Sequence, residues 1–394
     1  MLNVNLLSIL ISRGGGAIFA LVSSVFILKN LGAHDSGVFF TNIAYSMFFV
    51  VFITFGGNQS LLKNIKPKQE LGNILKHHFK VTIKLYIFFV PFAFLIINVI
   101  FKIHFYQVLL ITLCSLVYSI SQQLHHCCIA VEKQSSSYIF HTWIPNIIII
   151  VFSFTHNINV VLFCYIFGYV LSSMLQFLVI TFRINTEKKE VIIRENWSTR
   201  TDFFQQDMLG QIYTSLIIVI AANYLREADI AKLSMYIKIA SVCNIVIGIL
   251  NVSSFPKVIS KIRDGYITDS IKLINTMSLI GCSFILFYSI IVYFSWKEIV
   301  ILLGIESISV NMVVLLIFSY LGIAYSSSRQ MLLNSLGYSK WVRNYSWIVF
   351  LFGISSLLYM SKNYELKGTV VSLSLILILQ AIFNILLFRK VSNE

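Results

Sequence analysis

Apolar residues come in long runs separated by short polar stretches, and this alternation is the dominant pattern of the chain. A helix needs about twenty mostly apolar residues to cross a bilayer. Runs of that kind lie near Leu6–Leu28, Val38–Gly56, Val81–Ile100, Gln107–Val131, Tyr138–Thr155 and Val160–Phe182. After a polar stretch from Arg183 to Gln206, six more follow near Met208–Leu225, Leu233–Phe255, Ile271–Phe294, Val310–Leu333, Tyr345–Tyr359 and Gly368–Phe388. The pattern predicts an all-α polytopic membrane protein of about twelve transmembrane helices. The N-terminal run has no basic leader and no small-residue cleavage site, so it reads as a first spanning helix, not as a signal peptide.

Lysine and arginine orient the spans. With the N-terminus inside, 19 basic residues fall in cytoplasmic loops, Lys76, Lys80, Lys133, Arg200 and Lys340 among them, against 7 on the other side. Positive charge is retained on the cytoplasmic face, so both termini are expected there. The outward segments His156–Asn159 and Lys362–Lys367 are bare turns with no room for an external catalytic domain.

Composition agrees with this pattern. The chain is 57% hydrophobic and 12% charged, half the charged share of a soluble domain, and its mean hydropathy is +0.83. The formal net charge of +14 is spread between apolar runs. It therefore points to topology and anionic lipid headgroups, not to nucleic acid. The six cysteines form no CxxC pair, and no phosphate-binding GxxxxGK[ST] loop is present, so no metal and no cofactor are expected.

Six spans, a linker and six spans read as a duplication. The expected organisation is an N-terminal lobe over 1–182, a cytoplasmic linker over 183–206 and a C-terminal lobe over 207–394. That gives two pseudo-symmetric six-helix lobes. At an offset of 194, Leu31, Asp35 and Gly37 fall on Leu225, Asp229 and Ala231, and at 207, Gln123 and Lys133 fall on Gln330 and Lys340. The stretch Leu31-Gly32-Ala33-His34-Asp35-Ser36-Gly37-Val38-Phe39 resembles the LG-x-x-x-x-G-x-[FY] turn of polysaccharide flippases. Gln330 and Gly337-Tyr338-Ser339-Lys340 resemble that family's later glutamine and G-x-x-K.

The family is the Wzx-type O-antigen flippases, in the superfamily that also holds multidrug exporters and the lipid II flippase. The second lobe departs from its pattern, with Arg226-Glu227-Ala228-Asp229-Ile230-Ala231 at the equivalent turn. The resemblance implies a V-shaped pair of lobes that moves undecaprenyl-diphosphate-linked oligosaccharide across a bacterial inner membrane for O-antigen, lipopolysaccharide or other surface polysaccharide. It also implies membrane lipids, a polysaccharide polymerase and a chain-length regulator as partners.

Ionisable and amide groups at membrane depth are candidate sites, because each is costly unless it lines water or finds a partner. Arg13, followed by three glycines, reads as the grip on a lipid diphosphate or as a snorkelling anchor. Lys238 reads as a second cavity cation. Gln123, Gln330 and Arg329 read as sugar contacts or as ordinary interhelical bonds, and Arg329 and Lys84 also fit headgroup anchors. Asp207 falls opposite Arg13 at the 194 offset, and reads as an inter-lobe ion pair or proton relay, or as a helix N-cap. His125, beside His126, could titrate near neutral pH and serve the relay. Pro91 and Pro145 are expected to kink the third and fifth spans.

Two other functions compete. A cation-coupled multidrug exporter asks for buried carboxylates, and the first six spans have none in their interiors. A membrane polymerase or ligase asks for a large external loop. The reading is a flippase, not an enzyme.

Overall fold

A computed structural model describes residues 4–64, 71–97, 105–131, 133–184, 197–263, 266–304 and 309–393. The expected linker core, 185–196, lies outside them. Among the described residues there is no strand, and nine helical runs are long and apolar enough to cross a membrane. The difference from twelve has three local causes.

Two runs are double. Helix α1, Val4–Thr54, is interrupted at Gly32, whose φ of 77° and ψ of 171° lie outside helical space. That left-handed φ is open to glycine and strained for other residues. The break falls inside the turn expected between the first two spans. The last helix, α14 (Ser339–Asn393), breaks at Glu365, with φ 49° and ψ −134°. Its two arms then run antiparallel: Ser361 meets Thr369 at 2.9 Å, Ser356 meets Ser372 at 2.9 Å, and Gln380 donates to Ser346 at 3.4 Å.

The third cause is the seventh run, which is a discontinuous helix. Helix α8 (Trp197–Gly210) passes through a 3₁₀ turn at Gln211–Tyr213, leaves helical space at Thr214, and resumes as the short α9 (Ser215–Ala221). The Gln211 side chain accepts hydrogen bonds from both Thr214 and Ser215. Such local side-chain bonds compete with the helical ladder.

Between these lie α2 (Gly57–Asn64), α3 (Leu71–Leu95), α4 (Phe105–Ala130), α5 (Gln134–Tyr138), α6 (Ile144–Ser153) and α7 (Ile158–Ile184). After α9 come α10 (Glu227–Arg263), α11 (Ile267–Phe294), α12 (Trp296–Leu303) and α13 (Val310–Ser335). Between α5 and α6 the chain widens into a π-helical turn, Ile139–Trp143, directly before Pro145. Proline has no N–H to continue the α-helical ladder, so the fifth span is modified at its proline. Helix α3 continues through Pro91.

The chain divides into two compact units, Met1–Val219 and Ile220–Glu394. In the first, Tyr45, Phe49, Ile53, Ile97, Val108 and Ile111 form one buried cluster, and Leu61, Leu75, Leu124, Cys127, Cys128 and Ile180 form another. The second unit is held by Val258, Ile274 and Leu332, and by Leu333, Val342 and Leu387. Large apolar side chains such as Phe88, Phe163, Phe287 and Phe294 point outward and are exposed. On a soluble protein such surface would aggregate; against lipid tails it is the expected solvent-facing surface.

Candidate functional site

The first unit holds a connected set of cationic, imidazole and phenol groups. Arg13 lies on the first arm of α1, half-buried, with its guanidinium carbon 4.9 Å from the ring centroid of Tyr138. That is within cation–π range. Among the described residues its N–H groups meet no hydrogen-bond acceptor and no carboxylate.

The three glycines after Arg13 have separate jobs. A Cβ at Gly15 would run into the Trp143 ring and one at Gly16 into the Thr142 side chain, while one at Gly14 would meet nothing within 4 Å. Trp143 Nε1 donates to the Ser12 carbonyl at 2.9 Å, and Ser8 donates to Ser135. Gly15 and Gly16 therefore seat α1 against the π-helical turn, as small residues do where membrane helices meet closely. The open face is at Gly14, beside Arg13.

From Tyr138 the set runs inward. His125, on α4, is buried; its Nδ1 lies 2.6 Å from Ser137 Oγ and its ring centroid 4.8 Å from that of Tyr138. It stacks on His141 at 4.8 Å with an interplanar angle of 19°. His141, in the π-helical turn, reaches Ser121 Oγ with its Nδ1 at 3.0 Å and lies 5.4 Å from Tyr118 and 5.6 Å from Tyr169. The hydroxyls of Tyr165 and Tyr169 are 3.4 Å apart and close the far end. His126 sets its ring edge-on to His125, with centroids 5.6 Å apart, and its Nδ1 bonds the Gln122 carbonyl one turn back at 2.8 Å. The π-helical turn places Tyr138 and His141 together beside His125. Local π-bulges are frequent at functional sites.

The other expected site residues fall elsewhere. Gln123 is fully buried and donates to Thr82 Oγ1 at 2.5 Å, an α4-to-α3 bond. In the second unit Gln330 accepts from Asn384 at 3.2 Å. Arg329 is only 4% exposed and does not reach for a headgroup. It donates to Ser278 at 3.0 Å, to Asn275 at 2.6 Å and to the Tyr325 carbonyl, and its guanidinium lies 3.7 Å from the Tyr325 ring. These bonds tie α13 to α11. Lys238 is half-buried on α10.

Asp207 corrects one expectation. It lies in the last turn of α8, three residues before Gly210, and not at a helix start. A carboxylate at a helix C-terminus faces the negative end of the dipole, so it is no N-cap. The helix begins ten residues earlier because Trp197 to Gln206 is itself helical. Among the described residues Asp207 makes no salt bridge, to Arg13 or to any other cation. No group of three or more histidines, cysteines or carboxylates could hold a metal ion among the described residues.

Sequence alone points to His125 but not to Tyr138, His141, Tyr118, Tyr165 or Tyr169. A signal for several of them exists. Tyr118, Ser121 and His125 recur at three- and four-residue spacing on α4, and Tyr165, Tyr169, Ser172 and Gln176 do so on α7. Each set is one polar face of an otherwise apolar helix.

Comparison with solved structures gives the fold. The lipid II flippase MurJ in an inward closed conformation superposes with a TM-score of 0.71 at 16% identity, covering 96% of this chain and 87% of that one. An inward-facing multidrug resistance transporter of the MATE family, MOP superfamily, gives 0.66 at 10% identity over 97% of both chains. The MATE multidrug transporter DinF-BH gives 0.64 at 14%, covering 99% of this chain and 95% of that one. The chain has the fold of MOP-superfamily transporters. It is a multi-pass membrane protein of that architecture. No family model and no curated protein matches its sequence.

Proposed function

We propose that the protein is a flippase of the Wzx type, moving undecaprenyl-diphosphate-linked oligosaccharide from the cytoplasmic to the periplasmic leaflet of a bacterial inner membrane, with both termini cytoplasmic. The observation that carries the reading is Arg13. It is a half-buried guanidinium whose donors are unused among the described residues, beside the open face at Gly14. A planar fork of N–H donors matches a diphosphate and holds it by charge-assisted hydrogen bonds. The aromatic faces and hydroxyls of Tyr138, Tyr118 and Tyr169 suit a sugar, which offers both C–H faces and hydroxyls.

In this reading Lys238 is a second substrate-binding cation, and Gln123, Gln330 and Arg329 are sugar contacts. His125, with His141, binds the proton if transport is proton-coupled, and Asp207 is a second site for that role. The lobes read over 1–182 and 207–394 descend from one six-helix ancestor and are linked by 183–206. A polymerase and a chain-length regulator then handle the delivered repeat units.

MATE transporters among the structural neighbours keep a multidrug-export reading in play. The interiors of the first six spans offer basic and neutral polar groups where a cation-coupled drug pump asks for buried carboxylates. The test is gene deletion with complementation. The expected result is accumulation of lipid-linked repeat units on the cytoplasmic face and loss of surface glycan, both restored by the wild-type gene. Unchanged glycan together with raised sensitivity to cationic drugs would favour the exporter.

A further inference from the structure

A groove in the first unit stands apart from the Arg13 site. It lies between α3 and α7, has a volume of about 700 Å³, and is lined by Leu75, Lys76, Phe79, Lys80, Lys84 and Phe177 among others. Lys76, Lys80 and Lys84 are four residues apart, so they form one stripe along α3. At 1.5 Å of rise per residue the stripe extends about 12 Å along the helix. All three side chains are exposed, and none makes a hydrogen bond or ion pair with another described residue. Phe79 and Phe177 supply the apolar wall, and Phe177 is 47% exposed.

Like charges at four-residue spacing repel along a helix, and Lys84 lies inside the apolar part of α3. The stripe therefore asks for an anion that follows it down from the headgroup region. The apolar wall asks that the anion carry a hydrocarbon chain. A zwitterionic lipid would leave the three cations unbalanced, and a lipid with one phosphate would leave two. We propose that this groove is a binding site for an anionic phospholipid carrying two phosphates, with the phosphates along Lys76, Lys80 and Lys84 and an acyl chain against Phe79 and Phe177. The site belongs to the leaflet at the α3 N-terminus, read as cytoplasmic from the charge bias.

The experiment uses the full-length protein in detergent and native mass spectrometry with added diphosphatidylglycerol, phosphatidylglycerol or phosphatidylethanolamine. Wild type is expected to retain diphosphatidylglycerol at least about tenfold better than either single-phosphate lipid, a difference of about 1.4 kcal/mol. The triple variant Lys76→Gln, Lys80→Gln, Lys84→Gln is expected to lose that preference. The corresponding triple arginine variant, which keeps the charges, is expected to retain it, showing that the loss is not misfolding. Equal retention by the glutamine variant, or no preference between phospholipids in wild type, overturns the proposal. So does complete displacement by equimolar undecaprenyl diphosphate, which would make the groove a stop for the transported lipid. Because the readout is lipid retention, its outcome is independent of whether the protein flips oligosaccharide.

Discussion

The guanidinium of Arg200 donates to the Thr54 carbonyl at 3.0 Å, so a residue of α8 closes the C-terminal end of α1. It also donates to the Phe55 carbonyl at 3.2 Å, and the side chain is fully buried. The last carbonyls of a helix lack intrahelical donors and carry the negative end of its dipole. A cation held there satisfies both. Gly56 and Gly57 make the approach possible, since a Cβ at either would strike Arg200, and Gly56 has a φ of 68°. Arg200→Ala is expected to cost about 2–3 kcal/mol, by loss of charge-assisted bonds and exposure of buried carbonyls. Thermal unfolding in detergent should show a lower midpoint, with Arg200→Lys intermediate. An unchanged midpoint for Arg200→Ala would mean that α1 ends without this cap.

The glycines after Arg13 give a paired prediction. Gly16→Ala sets a methyl into Thr142 and should lower stability, because close helix packing leaves no void to accept it. Gly14→Ala has open space on its face and gains helix propensity of about 0.8–1.0 kcal/mol. Its midpoint should hold or rise. If Gly14→Ala nevertheless reduces transport, the open face beside Arg13 is where substrate approaches. Comparison of unfolding midpoints for the two variants checks the packing half directly.

The contrast between Arg200 and Arg13 shows what a sequence can carry. Apolar run lengths and basic bias are enough for the helical class, the turn at Gly32 and the turn around Glu365, since these depend on local composition. Arg200 reads as a loop charge because residue type alone does not distinguish a solvated arginine from one that caps another helix. Asp207 looks like a helix start because the apolar run begins there, whereas helical structure extends back to Trp197 through polar residues. Tyr138 and His141 escape notice because their approach to His125 depends on the π-helical turn before Pro145, a backbone detail that periodicity does not report.

The stacked imidazoles of His125 and His141 are the groups to test for proton coupling. Their ring centroids lie 4.8 Å apart, and His126 sits edge-on to His125 at 5.6 Å. His141→Phe keeps a stacking ring but removes the bond to Ser121. If the pair couples transport to protons, this variant and His125→Phe should each flatten the dependence of transport on an imposed pH gradient while protein level holds. A gradient response equal to wild type in both variants removes the pair from coupling and leaves it as packing.

Two arginines, Arg13 and Arg329, should respond oppositely to the same truncation. Arg329 is bonded to Ser278, Asn275 and the Tyr325 carbonyl. Its loss leaves buried polar groups unmatched, at about 1–3 kcal/mol each, so Arg329→Ala should reduce stability and yield. Arg13 has only the Tyr138 ring as a described partner. Arg13→Ala should therefore leave the unfolding midpoint within about 0.5 kcal/mol of wild type. Transport should nevertheless fall roughly ten- to a hundredfold, as expected for losing a charge-assisted bidentate contact of about 1.5–3 kcal/mol. Arg13→Lys keeps the charge without the fork and should fall between. Because no salt bridge joins Arg13 to Asp207 among the described residues, Asp207→Asn in the Arg13→Ala background should add its effect independently. Normal glycan display by Arg13→Ala at normal protein level would reduce Arg13 to an anchor, and strong non-additivity with Asp207→Asn would restore the pairing that the offset between the halves pointed to.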